Sequence, residues 1–120
     1  MDRREFELLV AETIEAMPDE FIARLENVTV IVQDHATPGQ LAKARLRRGQ
    51  TLLGLYEGVP LTKRGGHVSV VPDRIIIFQG PIESKCRDNT EIAAEIRRVV
   101  QHEIAHHFGI SDVRLKELGK

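Results

Sequence analysis

The sequence has only one cysteine, Cys86, and no long hydrophobic run. A single cysteine cannot form an internal disulfide, which favours a reducing compartment. The first residues, MDRREF, lack the apolar segment of a signal peptide. No stretch approaches the roughly eighteen apolar residues of a membrane span. From these absences we expect a soluble, cytoplasmic protein with no membrane partner.

An excess of charge of one sign is also absent. The 17 basic and 18 acidic residues almost cancel, to a net charge of −1. This disfavours a broad electrostatic partner such as duplex DNA. One basic run, KARLRR at residues 43–48, has no interleaved aromatic residues, so we interpret it as a solvated surface and expect no nucleic-acid partner. With 120 residues and 42% apolar content, the chain suits a single domain, residues 1–120.

Apolar periodicity and turn residues predict a mixed order of helices and strands. The predicted elements are a helix over residues 2–17, a short helix after Pro18, a strand over 27–33, a loop or short basic helix within 34–50, strands over 51–56, 67–71 and 74–78, a helical turn over 81–86, a long helix over 88–108 ended by Gly109, and a short final helix up to residue 118. The first strand is β-branched on both faces, which favours a central position in the sheet.

The long helix is the best-defined element. Asp88 is a suitable N-cap, and Glu91 completes a capping box. The apolar residues of this helix cover a wide arc, so most of it should be buried against the sheet. They are Ile92, Ala93, Ile96, Val99, Val100, Ile104 and Phe108.

This helix carries the sequence HEIAH at residues 102–106. His102 and His106 are four residues apart, so both imidazoles point the same way and can bind one ion, most often zinc. Glu103 is rotated about 100° from the first histidine and 60° from the second. It therefore lies outside the coordination shell but within reach of an activated water, as a general base requires.

Catalytic zinc usually takes three protein ligands and a water. Gly109 can end the helix and return the chain toward the metal, which makes Asp112 the preferred third ligand. Glu117 is the rival, but it needs a longer return. The alternative is an ordinary helix end whose polar residues face solvent. We disfavour it because the motif flanks the buried arc, where unpaired polar groups are costly.

Other candidate residues have simpler interpretations. We expect His107 to be a core histidine bonded to a carbonyl rather than a residue that orients a metal ligand. His35 and His67 are interpreted as ordinary. Tyr56 is expected to pack its ring rather than stabilise an oxyanion, and Cys86 to be a small buried hydrophobe.

Three segments, HEIAHHFGISD, PDRIIIFQGPIESKC and LLGLYEGVPLTKRG, resemble the small bacterial zincin-like metallopeptidases with a minimal matrix-metalloprotease-like domain. The resemblance implies an α+β fold: one small domain with N-terminal helices and a mixed sheet of about three to four strands packed on the long motif helix. It also implies His102, His106 and Asp112 as zinc ligands and Glu103 as the catalytic acid/base.

The sequence therefore predicts a zinc-dependent metallopeptidase acting on a peptide or protein substrate, held by an exposed strand edge over 51–56 or 67–71. The alternative is a non-catalytic zinc-binding or protein-interaction module. A nucleic-acid accessory protein that uses Arg45, Arg47 and Arg48 is a third and weaker interpretation.

Overall fold

The computed structural model describes residues 1–44, 51–58 and 73–108. The elements follow the order α1 (Arg3–Glu15), α2 (Asp19–Arg24), β1 (Val28–Gln33), α3 (Pro38–Lys43), β2 (Gly54–Glu57), β3 (Asp73–Phe78), α4 (Gln79–Lys85) and α5 (Asn89–Phe108). Helices, a small mixed sheet and a long C-terminal helix confirm the predicted α+β fold.

Side-chain caps determine where the helices begin. The Asp2 carboxylate accepts a hydrogen bond from the Glu5 N–H at 2.8 Å, at the start of α1. At the start of α5, the Asp88 carboxylate accepts from the Glu91 N–H at 2.9 Å. These two caps confirm the predicted helix starts, because each satisfies a backbone donor that the first turn leaves free.

The sheet has the strand order β1-β3-β2. Strand β1 is parallel to β3, and β2 is antiparallel to it. The prediction that the first strand is central was wrong for the sheet that these described strands form, since β1 lies at one edge. The central strand is β3, where Ile75, Ile76, Ile77 and Phe78 are all buried. Most residues of β1 are partly buried, which agrees with its β-branched composition.

Helix α5 packs against β2 and β3 and also contacts α1, α2 and α4. The core cluster is contributed by these helices and the sheet; it comprises Phe6, Val10, Met17, Phe21, Ile75, Ile77, Ile82, Ile92, Ile96, Val99, Val100 and Ile104. Burial of this apolar surface fixes α5 across the sheet and so determines which strand its motif can reach.

Several predicted boundaries shift. Strand β2 begins at Gly54 rather than residue 51, and α4 begins at Gln79 rather than residue 81. The uncertain stretch 34–50 contains the short helix α3, which begins with a capping box between Thr37 and Gln40. The predicted strand over 67–71, most of the basic run, the helix stop at Gly109 and the final helix lie outside the described residues. Among the described helices, none is both long and apolar enough to cross a membrane.

Candidate metal centre and active site

The two motif histidines lie side by side near the end of α5. The ring centroids of His102 and His106 are 4.1 Å apart, with an angle of 45° between the ring planes. Both side chains are exposed. Helical spacing therefore produces a pair of imidazoles that face the same open space, as the sequence predicted.

The argument that the motif lies on the buried arc was wrong for the histidines. Ile104 and Ala105 are buried, but His102, His106 and His107 are exposed. The core extends along α5 as far as Ala105, beyond His102, so the exposure of the histidines reflects the side of the helix on which they lie. At about 100° per residue, His102 and His106 are each about 160° from the buried Ile104.

Glu103 is held at the sheet by a contact with strand β2. Its Oε1 accepts a hydrogen bond from the backbone N–H of Tyr56 at 2.9 Å. The two residues are 47 positions apart in the chain. The carboxylate is half-buried and is directed toward the strand while the histidines face solvent. This separates the candidate base from the candidate metal ligands, as the helical rotation predicted.

The close approach of β2 to α5 depends on glycine at position 54. A Cβ atom built on Gly54 would lie 2.4 Å from Cγ1 of Val99 and 3.9 Å from Cγ of Glu103. The first distance is far shorter than a van der Waals contact, so a larger residue would push the strand and helix apart. Gly54 thus brings the strand within hydrogen-bonding reach of Glu103.

Tyr56 makes two further contacts through its side chain. Its ring stacks on His107, with centroids 3.8 Å apart and planes at 17°. Its hydroxyl donates to Oδ2 of Asp73 at 2.8 Å. Burial, and then the hydrogen bond and charge of Asp73, raise the pKa of Tyr56, so the hydroxyl stays protonated and acts as a donor at neutral pH.

Sequence reasoning did not find this cluster. His107 is exposed and packs on an aromatic ring, rather than lying in the core as a histidine bonded to a carbonyl. Its Nε2 lies 3.9 Å from Oδ2 of Asp73. The prediction that Tyr56 packs its ring was confirmed, but the partner and the role of Asp73 were missed. Residues 56 and 107 are distant in the chain, so local periodicity cannot predict the contact between them.

The described part of the centre fits a zinc ion. Imidazole nitrogen is a preferred zinc donor, and the two rings share one solvent-facing side of α5. Asp112 and its rival Glu117 lie outside the described residues. Within 1–44, 51–58 and 73–108, no group of three or more His, Cys, Asp or Glu side chains is placed to hold a metal. The histidine pair therefore needs a ligand from elsewhere in the chain to complete a three-ligand site.

A shallow cleft of about 180 Å³ runs beside Glu103, between α5 and the segment that leads into β2. It is lined by Thr51, Leu52, Leu53, Gly54, Arg98, Val99, His102 and Glu103. The candidate base and one candidate metal ligand thus line the same cleft, and Val99 and Leu53 provide its apolar surface.

Two other residues singled out in the sequence lie elsewhere. Cys86 is a free, half-buried thiol packed against the core. Its pKa is raised, mainly by burial and then by the charge of Glu95. Cys86 therefore packs as a small hydrophobe, as predicted, but it is half-buried rather than buried. His35 packs against Gly80, where an added Cβ would lie 2.5 Å from its Nε2, in a region formed by the β1–α3 connection and α4.

A helix that bears HExxH and packs against β2 and β3 of a small mixed sheet is the arrangement expected of a zinc metallopeptidase. A profile of the Zincin-like metallopeptidase family matches residues 25–120. The chain belongs to this family, as the sequence segments indicated. A comparison with curated proteins finds no significant match.

Proposed function

We propose that this protein is a zinc-dependent peptidase, with His102, His106 and Asp112 as metal ligands and Glu103 as general acid/base. One observation carries the proposal: two adjacent exposed imidazoles on α5 lie on either side, in sequence, of a glutamate whose carboxylate reaches the backbone of strand β2. Zinc-dependent peptide hydrolysis needs a metal site, a base and a surface for an extended chain, and the proposal brings the three together.

Zinc, when bound, would polarise the scissile carbonyl and lower the pKa of a coordinated water. Glu103 then has two tasks that its chemistry suits: it takes the proton of the attacking water and passes it to the leaving amine. Its hydrogen bond from the Tyr56 N–H keeps the carboxylate at the strand. This bond limits the rotamers of Glu103, so less conformational entropy is lost when the base engages a substrate.

Strand β2 offers a surface for an extended substrate. The Leu53 carbonyl accepts from the Phe78 N–H at 3.0 Å, toward β3. Strand alternation turns the main-chain groups of Gly54 and Tyr56 to the other side, which agrees with the contact between Tyr56 and Glu103. A peptide lying in the shallow cleft beside Glu103 would run along residues 51–54, which lead into this strand. Such a groove favours recognition of the substrate main chain over a deep side-chain pocket.

A second candidate function is a non-catalytic zinc-binding or interaction module. The bond between Glu103 and the Tyr56 N–H favours it, because a purely structural glutamate would make the same contact. The two functions differ in what Glu103 must do. A base must exchange a proton, whereas a structural residue needs only to accept the hydrogen bond.

The variant Glu103→Gln separates these functions. A glutamine oxygen can still accept from the Tyr56 N–H, but an amide cannot act as the base. We expect the variant to retain one zinc per chain while its rate of peptide cleavage falls by about 10²–10⁴-fold. Glu12→Gln, an exposed change on α1, is the matched control and should cleave as the wild type does.

A broad peptide library and zinc analysis provide the readouts. Wild-type protein that binds one zinc per chain but cleaves no peptide would overturn the enzymatic proposal and favour the module. Thermal unfolding with and without a chelator gives a second distinction. A catalytic site should leave the metal-free fold largely intact, whereas a structural zinc contributes folding free energy directly.

A further inference from the structure

The side chains of Tyr56, Asp73 and His107 form a cluster, here called the tyrosine clamp, that joins three elements. Tyr56 lies on β2, Asp73 begins β3, and His107 lies in the last turn of α5. The tyrosine ring stacks on the imidazole at 3.8 Å, and its hydroxyl donates to the carboxylate at 2.8 Å. Phe108 adds an edge-on contact to each ring, at centroid distances of 6.2 Å from Tyr56 and 5.0 Å from His107.

The clamp contacts the part of α5 that follows its last buried residues. Ile104 and Ala105 are the last buried residues of α5, and residues 106–108 are exposed. Segments with few buried contacts open locally more readily than the buried core. His106 lies in this turn, directly before His107. The position of His106 beside His102 therefore depends on contacts outside the hydrophobic core.

We propose that Tyr56 and Asp73 are positioning residues that hold the last turn of α5 against the sheet and thereby keep His106 in place for metal binding. This inference rests on the proposed function, because it concerns a metal ligand. A metal site requires its ligands to be held within about 0.5 Å of the productive geometry. The stack on His107 supplies that restraint from the neighbouring residue, and the bond to Asp73 fixes the tyrosine ring.

The same residue also restrains the candidate base. The backbone N–H of Tyr56 donates to Glu103 at 2.9 Å, while its side chain contacts His107. Glu103 and His107 are four residues apart on one helix. One strand residue thus contacts α5 on both sides of His106 in sequence. Side-chain substitutions at position 56 leave the backbone donor in place, so the two restraints can be tested separately.

The test compares zinc affinity in Tyr56→Leu, Tyr56→Phe and wild type, measured by competition with a chromogenic chelator. The leucine removes both the aromatic stack and the hydroxyl, whereas the phenylalanine keeps the stack. We expect Tyr56→Leu to lower zinc affinity by about 10–100-fold, the usual cost of losing a residue that orients a ligand. Tyr56→Phe should lower it less. Val10→Ala, a core change on α1, is the control for general destabilisation and should leave zinc affinity unchanged.

Hydrogen exchange of the metal-free proteins gives a second readout. Tyr56→Leu should speed the exchange of the amides of residues 104–108 selectively, while Val10→Ala should not. His107→Ala removes the stack on Tyr56, whereas His107→Phe keeps an aromatic ring there. We therefore expect zinc affinity to fall in His107→Ala and to stay close to the wild-type value in His107→Phe. This second pair keeps the proposal testable if Tyr56→Leu does not fold.

The outcomes distinguish this inference from the proposed function. If wild type binds zinc and Tyr56→Leu or His107→Ala binds it equally well, the positioning role is overturned and the proposed function stands. The positioning role is also overturned if Val10→Ala weakens zinc binding as much as Tyr56→Leu does. If wild type takes up no zinc, the proposed function is overturned, and the positioning role fails with it.

Discussion

Residues 89–100 of α5 and residues 101–108 differ in what their side chains contact. In the first part, Ile92, Ile96, Val99 and Val100 are buried, and Glu95 forms ion pairs with Arg98 and Lys85. In the last part, only Gln101, Ile104 and Ala105 are buried, and the histidines are exposed.

The difference teaches that one helix can serve two purposes. Where the arc of α5 faces the core, it contributes stability through burial. Toward the C-terminal end, Ile104 and Ala105 continue this arc, while other sides of the helix direct Glu103 to strand β2 and the histidines to solvent. We therefore expect substitutions in the two parts to separate cleanly. Changes at buried positions of the first part should alter folding, and changes at His102, Glu103 and His106 in the last part should alter metal binding and chemistry.

The largest expected effect is the loss of the metal in His102→Ala and His106→Ala. Each variant removes an imidazole from the proposed site, so zinc affinity should fall by more than about 100-fold, beyond the cost of losing a neighbour of a ligand. Thermal unfolding of the metal-free proteins should change little, since both side chains are exposed. His35→Ala is the control in a zinc competition assay. Retention of full affinity by either motif variant would contradict the proposed site.

The variant Ile96→Ala tests the first part of the helix. Ile96 is fully buried in the core, so its truncation should lower the free energy of unfolding by about 2–5 kcal/mol. Denaturant unfolding measures the loss. Zinc affinity of the folded variant should match that of the wild type, and a large fall would show that the two parts of α5 are not separable.

The variant Gly54→Ala acts on the contact between the helix and the edge strand. The added methyl group would collide with Val99, so we expect a loss of about 1–3 kcal/mol in the free energy of unfolding. The strand should also move away from Glu103 and reduce peptide cleavage. A double variant with Val99→Ala, which makes room for the methyl group, should recover part of both losses. No recovery would argue against steric contact as the cause.

The smallest expected effect concerns acid stability. Burial alone would raise the pKa of Glu95, but hydrogen bonds and charge from Arg98 and Lys85 outweigh it and lower that pKa below the ordinary 4.5. A carboxylate with a lowered folded-state pKa contributes stability that is present above its unfolded pKa. That contribution is lost as the pH falls through the folded value.

We expect the Glu95 contribution to be about 0.5–1 kcal/mol, because its partners are largely exposed and screened. Unfolding measured between pH 6 and about pH 3 in wild type and Glu95→Gln should show a smaller acid-induced loss in the variant. Identical pH profiles would mean that the ion pairs contribute nothing.

Features that depend on residues close together in the chain could be predicted from the sequence. Asp88 and Glu91 marked the start of α5, and the spacing of His102 and His106 predicted their common direction. The sequence could not predict that His107 stacks on Tyr56 or that Glu103 bonds to the Tyr56 N–H, because both contacts join distant parts of the chain. The edge position of β1 was missed for a related reason: residue type reports burial, whereas neighbour identity depends on topology. Asp112 as third ligand and residues 1–120 as the domain stay predictions.

The central claim is that zinc binds to the two motif histidines with Asp112 as the third protein ligand. X-ray absorption at the zinc edge of the wild type and Asp112→Ala tests it most directly. The account predicts two imidazole nitrogens and oxygen ligands at about 2.0–2.2 Å in the wild type, including an exchangeable water, and weakened zinc binding in Asp112→Ala. A shell without imidazole, or an unchanged shell and affinity in the variant, would contradict it.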